Sequence, residues 1–332
     1  MGTTADVKGI AVDAASNSFE REPEGNAPGV EQHLILKGRP PLGEFIGFVS
    51  GQAIDAPGRG VDYGALTEEW RLANDRICEL EQMEAGWADS PPINNLTAEF
   101  DELVTDVLQD PIFRRSFAFV PSEIKMIELD RLVVFQKYIN LNYVRQLRRA
   151  IGSAPTAEAI FRLCLPADHP HPEVQYLQVA PNIYVFSSHS NDFRFLEARL
   201  FDPAQILNHE PLGPAFAVMG LVMGFGSNYL NAIQAEGRLI LGNGSHRAFA
   251  LREAGITHVP AVVQKVSRRE ELTLVTNPEV QNRTDAYLTA PRPPLLKDYF
   301  DPALRKIINV RKRLRQIKIS FGVEPIDVPA NV

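Results

Sequence analysis

The sequence predicts an α+β fold, and three stretches carry that prediction. Gly237 to Val266 (GRLILGNGSHRAFALREAGITHVPAVVQKV) runs through a short apolar segment, a glycine turn, a helical window and a β-branched segment. Glu123 to Ile151 reads as a strand or strand pair over Ile124 to Phe135, then an amphipathic helix over Leu141 to Ile151 that Gly152 ends. Tyr63 to Ala85 places Leu66, Trp70, Ala73, Ile77, Leu80 and Met83 at helical spacing.

Taken in order, residues 1–60 are rich in small, polar, Gly and Pro residues and read mostly as a flexible arm, with a short strand at His33 to Leu36. Residues 61–122 form a helical N-terminal part. Thr67 precedes acidic residues suited to a first helical turn, Gly86 and Pro91-Pro92 end that unit, and a second helix spans Leu96 to Leu108 before Pro111. Residues 123–285 form the core, with an insertion near 153–195; a start at Leu196 to Ile206 is the alternative. Ile183 to Ser187 and Phe193 to Leu200 suggest a hairpin around SHSND, and Arg268 to Val275 a helix. Residues 286–332 are a proline-rich and basic extension: PRPPLLKDYFDP as a stiff connector, then a basic helix-plus-strand run over Ala303 to Ile319.

The chain has 332 residues, a formal charge of -7 and two cysteines, Cys78 and Cys164. The length suits one large or two ordinary domains. The acidic balance argues against nucleic acid as a partner, and two cysteines give neither a disulfide framework nor a cysteine-rich zinc site. The start lacks a signal-peptide core, and the apolar stretch at Phe216 to Phe225 is too short to span a bilayer, so a cytoplasmic protein without a membrane partner is expected.

The chemistry concentrates at Gly242, Asn243, Gly244, Ser245, His246 and Arg247. A glycine turn that ends a strand and opens a helix aims backbone N–H groups at one point, which suits phosphate. Arg247 would add a bidentate charge, Ser245 a hydroxyl or a helix cap, and His246 a phosphate contact or acid/base function. Pro260 confines the Val259 to Val263 run to a sheet edge or strand start.

These residues resemble the ParB/sulfiredoxin-like superfamily. Gly244, Arg247 and Ala250 stand in the G-x-x-R-x-x-A pattern of ParB proteins, and Gly244-Ser245-His246-Arg247 is similar to the Gly-Cys-His-Arg of sulfiredoxins, with serine in place of cysteine. Gly255, Val259, Pro260 and Val263 fit the downstream pattern. Glu279 and Arg283 match the separation of the ParB E-N-x-Q-R element, with permuted interior residues. The resemblance covers about Leu196 to Val266. It implies a bound nucleoside di- or triphosphate (ATP, ADP or CTP) with Mg²⁺, and the serine argues against sulfiredoxin thiol chemistry.

The leading expectation is a nucleotide-dependent phosphotransferase acting on a small molecule, with Glu236 and His246 as acid/base candidates. The alternative is a nucleotide-gated switch, and the third reading a DNA-binding or nuclease protein; a homodimer is left open. Ser188, His189, Asn191 and Asp192 read as a surface loop, and Cys164, Asp168, His169 and His171 as a polar loop in preference to a metal site.

Overall fold

A computed structural model describes residues 29–54, 61–206 and 213–329. It begins with strand β1 (Val30–Leu36), helix α1 (Leu42–Gln52) and the long helix α2 (Tyr63–Glu84). The Asp62 carboxylate caps α2 by accepting from the Ala65 N–H at 2.9 Å, so the cap lies five residues before Thr67. Leu66, Ala73, Ile77 and Leu80 form its buried stripe. Next come β2 (Ile93–Asn94), α3 (Asp101–Gln109) and α4 (Pro111–Ser116), where Pro111 takes the first helical position and Asp110 caps. Strands β3 (Ser122–Glu128) and β4 (Ile139–Asn140) lead into α5 (Leu141–Ile151). Asn140 caps α5 through the N–H groups of Asn142 and Tyr143, and Gly152 ends it at φ 73°.

Helix α6 (Ala157–Cys164) precedes four strands: β5 (Val174–Ala180), β6 (Ile183–Ser188), β7 (Arg194–Phe201) and β8 (Val218–Gly224). The expected strand–turn–helix–strand unit follows as β9 (Asn231–Ala235), β10 (Arg238–Asn243), α7 (Ser245–Glu253) and β11 (His258–Lys265). Short helices α8 (Leu272–Val275), α9 (Pro278–Asn282) and α10 (Thr284–Leu288) come before β12 (Arg305–Arg311) and β13 (Arg315–Ser320).

The α+β expectation is met, with four sheets among the described residues. The central one has the order β10-β9-β11-β3-β2, with β11 parallel to β9 and antiparallel to β3. Its strands and α7 bury Leu239, Leu241, Ala248, Leu251, Val262 and Val263 completely. Helix α7 is enclosed around most of its circumference: Ser245 and Arg247 are buried along with Ala248, Phe249, Ala250 and Leu251. Pro260 sits in an interior strand, yet β11 joins β9 only from Val262 onward, so the missing N–H falls where β11 still has one partner. The strand-start reading of Pro260 therefore stands, and the sheet-edge reading is replaced.

The chain ends need correction. The flexible-arm reading fails over residues 29–54, because β1 pairs with β12 from Val30↔Arg311 to Leu36↔Arg305, and β4 lies on its other side. Residues 1–28 and 55–60 lie outside the described residues. PRPPLLKDYFDP is core, not connector: Leu295, Leu296 and Tyr299 are fully buried, and Arg292 reaches Asp298 and Glu84 at 2.5–3.0 Å. Prolines lack N–H groups but keep their carbonyls, and the Pro294 carbonyl accepts from Val134 N–H. The basic run is two strands; Lys306 pairs with Glu69 at 2.8 Å. The hairpin expected around SHSND does not form: β6 is occupied on both edges by β5 and β13, and β7 pairs instead with β8. Among the described residues, no helix is long and apolar enough to cross a membrane.

Candidate functional site

Strand β10 ends in the glycine turn. The Asn243 side chain shapes it, accepting from Gly244 N–H at 2.8 Å and donating to the Tyr229 carbonyl at 3.2 Å. Gly244 is left-handed at φ 93°, and a Cβ there would meet the Leu230 side chain at 2.9 Å. A Cβ on Gly242 would collide with Asn231. Gly244 is thus required by the protein behind the turn, independently of any ligand, whereas a side chain at Gly242 would have to displace the Asn231 amide.

Helix α7 makes its first backbone bond from Ala248 N–H to the Gly244 carbonyl, 2.8 Å. The Ser245, His246 and Arg247 amides have no protein partner among the described residues, as the opening turn of a helix dictates. The turn forms one wall of a cleft of about 390 Å³, completed by Phe135, Gln136, Arg194, Ile233, Thr276 and Asn277. That volume lies in the range of small-molecule sites. Gln136 donates to the Leu241 carbonyl at 2.9 Å, while its Oε1 is enclosed and has no partner among the described residues. Arg194 supplies positive charge; it is half-exposed and ion-paired with Asp192, which also accepts from Gly226 N–H at 2.7 Å. A second cavity, about 370 Å³ between α1, α2 and β12, has Lys306 paired with Glu69 on its wall, and none of its described lining residues carries an enclosed, partnerless polar atom.

Arg247 is 5 % exposed, and its Nη1 lies 2.6–3.2 Å from the carbonyls of Asn228, Leu163 and Cys164. It ties α7 to the end of α6 and the approach to β9, and it does not line the cleft. The expected phosphate fork is corrected to an internal clamp, because a buried guanidinium must satisfy its donors locally. His246 turns toward α5, edge-on to Tyr143 with ring centroids 5.5 Å apart. Its Nε2 is enclosed and unpartnered among the described residues. Burial, then the neighbouring His33 and Arg247, push its pKa down to about 4 against the opposing pull of Glu31. The ring is neutral near pH 7 and is not a cleft acid/base.

Glu236 is also corrected. It occupies the β9–β10 turn with φ 47°, and Arg269 pairs with both its carboxylate oxygens. Gly237 and the four β10 residues Arg238 to Leu241 lie between it and the glycine turn, and that strand segment alone spans roughly 13 Å. Its pKa is lowered, first by the bond from Arg269, the opposite of a poised acid. Glu279 and Arg283 bond each other at 3.3 Å, with Tyr287 donating to Glu279 at 3.2 Å. They buttress the segment after Asn277 without lining the cleft.

Ser188 is buried against the Glu173 carbonyl, 3.0 Å, as part of a loop scaffold. His169 joins a different group: Asp110 contacts its Nε2 at 2.5 Å and accepts from the Tyr229 hydroxyl at 2.6 Å. Burial raises the Asp110 pKa, but the bonds from Tyr229, His169 and Ile112 N–H outweigh it and leave the carboxyl below its ordinary value. No group of three metal-capable side chains occurs among the described residues. Sequence reasoning missed Gln136, Arg194, Thr276 and Asn277. Gln136 had one signal, a lone amide closing the apolar run LVVF.

Compared with known proteins, the chain matches no family model, no curated protein and no solved structure.

Proposed function

We propose that the cleft holds the phosphates of a nucleoside di- or triphosphate (ATP, ADP or CTP), in a ParB/sulfiredoxin-like core within a cytoplasmic protein. One observation carries the reading: Ser245, whose amide opens α7 without a partner among the described residues, lines the same cleft as Gln136, whose Oε1 is enclosed and partnerless. The amides and Arg194 suit an anion, and Gln136 suits an amino or hydroxyl donor on the rest of the ligand. Mg²⁺ would enter on the phosphates, since none of the described lining residues is a carboxylate.

Between the two nucleotide readings, the cleft favours the gated binding protein over the phosphotransferase. Glu236 and His246, its acid/base candidates, lie elsewhere, and the described lining offers neither carboxylate nor imidazole to take a proton. Nucleotide occupancy would then act by stabilising one state of the protein.

Calorimetry with ATP, ADP, CTP and GTP, with and without Mg²⁺, tests the proposal. Binding is expected, weakened roughly tenfold or more by Arg194→Ala, which removes a charge-assisted contact. Failure of every nucleotide to bind overturns it. Consumption of bound nucleotide in the presence of hydroxylated acceptors would restore the phosphotransferase.

A further inference from the structure

Strand β7 of the β7–β8 ribbon is uncovered along nearly its whole length. Every residue from Arg194 to Leu200 is exposed, with Leu200 at 65 % and, across from it on β8, Met219 at 70 %. Neither outer edge of the ribbon pairs with another strand among the described residues. A lone two-stranded ribbon is marginal in water, and exposed edges normally carry Pro, Lys or short strands as guards. The β7 edge, RFLEARLF, has neither Pro nor Lys.

Its sequence is complementary to itself. If β7 is laid antiparallel on a second copy about Ala198, Glu197 faces Arg199 twice, Leu196 faces Leu200 twice, and Phe195 faces Phe201 twice. Moving the register by one residue sets Glu197 or Arg199 against leucine; moving the axis onto either charged residue sets like charges together. Pairing with β8 is regular from Glu197 to Phe201, and its one irregularity, between Phe195 and Glu197, centres on Leu196, one pair in from the outermost pair of the overlap.

We infer that β7 pairs with β7 of a second copy of this chain about a two-fold axis through Ala198, giving a continuous sheet β8-β7-β7-β8. The closure is isologous, so it yields a dimer and not a fibre. This inference does not depend on the nucleotide reading.

Sedimentation and light scattering of the full chain over a concentration series test it. The wild type is expected to dimerise. Glu197→Arg and Arg199→Glu should each weaken the dimer at least roughly tenfold, by setting like charges opposite one another. An equimolar mixture of these two variants should dimerise again, because each substituted position then meets the opposite charge. In a Cys78→Ser background, Ala198→Cys should crosslink to itself on mild oxidation, since directly opposite Cβ atoms lie about 5 Å apart. Circular dichroism checks that the variants remain folded. A wild type that stays monomeric, single variants that still dimerise, or a mixture that stays monomeric overturns the proposal. Monomers that bind phosphatidylcholine vesicles would assign the apolar ribbon to a lipid surface instead.

Discussion

Strand pairs β9–β10 and β7–β8 are both antiparallel and both built from apolar runs, RLIL in one and RFLEARLF in the other, yet their surroundings are opposite. Leu239, Ile240 and Leu241 are wholly buried; Leu196 is 48 % and Leu200 65 % exposed. The difference lies beyond the pair. β9 gains β11 as a third strand, and α7 lies within the same core, whereas β7 and β8 gain no further strand among the described residues. A hydrophobic run specifies that a strand wants cover, not where the cover comes from. In the first pair the cover is intramolecular and the polar groups are clamped inside it; in the second the cover remains to be supplied.

The buried half should break first and hardest. Arg292 is 1 % exposed and Asp298 2 %, joined by two bonds at 2.5 and 3.0 Å, with Asp298 also accepting from Leu295 N–H. Asp298→Ala leaves a guanidinium enclosed without its main partner. Chemical denaturation should show a loss of about 3–5 kcal/mol, the usual result of removing one member of a buried pair. A loss within ~1 kcal/mol would mean that Glu84 alone can hold Arg292.

Arg247→Ala should follow at about 2–4 kcal/mol, from three carbonyls losing a charged donor and a buried side chain leaving a void. It also separates clamp from ligand contact. Nucleotide affinity, measured below the unfolding transition, should change less than for Arg194→Ala. The reverse order would return Arg247 to the phosphate site.

What could be read from the chain follows the same division. Glycines and helical spacing marked β10, α7 and β11 because Gly244 and Gly255 are left-handed and each closes or opens an element locally. Asp62, Asn140 and Gly152 likewise act within a few residues of themselves. The pairing of β1 with β12 was hidden, since Val30 and Arg311 meet only through tertiary packing. The cleft was half legible: its turn lies in one motif, but Gln136, Arg194 and Asn277 come from three distant segments. Arg247 misled because a glycine–arginine spacing predicts position, not the direction of the side chain. Glu236 misled because nearness in sequence to β10 became distance once β10 was extended.

His246 offers a weaker perturbation of the buried half, by pH. Its folded pKa of about 4 lies below the ordinary histidine value, so on acidification the unfolded chain takes the proton first. Its contribution to stability is complete above about pH 6.5, falls as pH drops through that value, and stops falling below about 4. The whole change is on the order of 3 kcal/mol at most. His246→Phe should flatten denaturation midpoints across that window relative to wild type. Parallel profiles would show that the ring is hydrated in solution.

The smallest effect on monomer stability is expected on the ribbon, and there the comparison is sharpest. Leu200→Asp places a carboxylate where 65 % of the residue already meets solvent. In dilute protein it should move the unfolding free energy by no more than about 0.5 kcal/mol, as surface substitutions do. Concentrated protein should behave differently. If β7 pairs with a second copy, native dimer is favoured by mass action and the wild-type Tm rises with protein concentration. Leu200→Asp would face Leu196 across the two-fold and abolish that rise. A wild-type Tm independent of concentration, or an equal rise in the variant, would leave the ribbon as exposed in solution as its own chain leaves it.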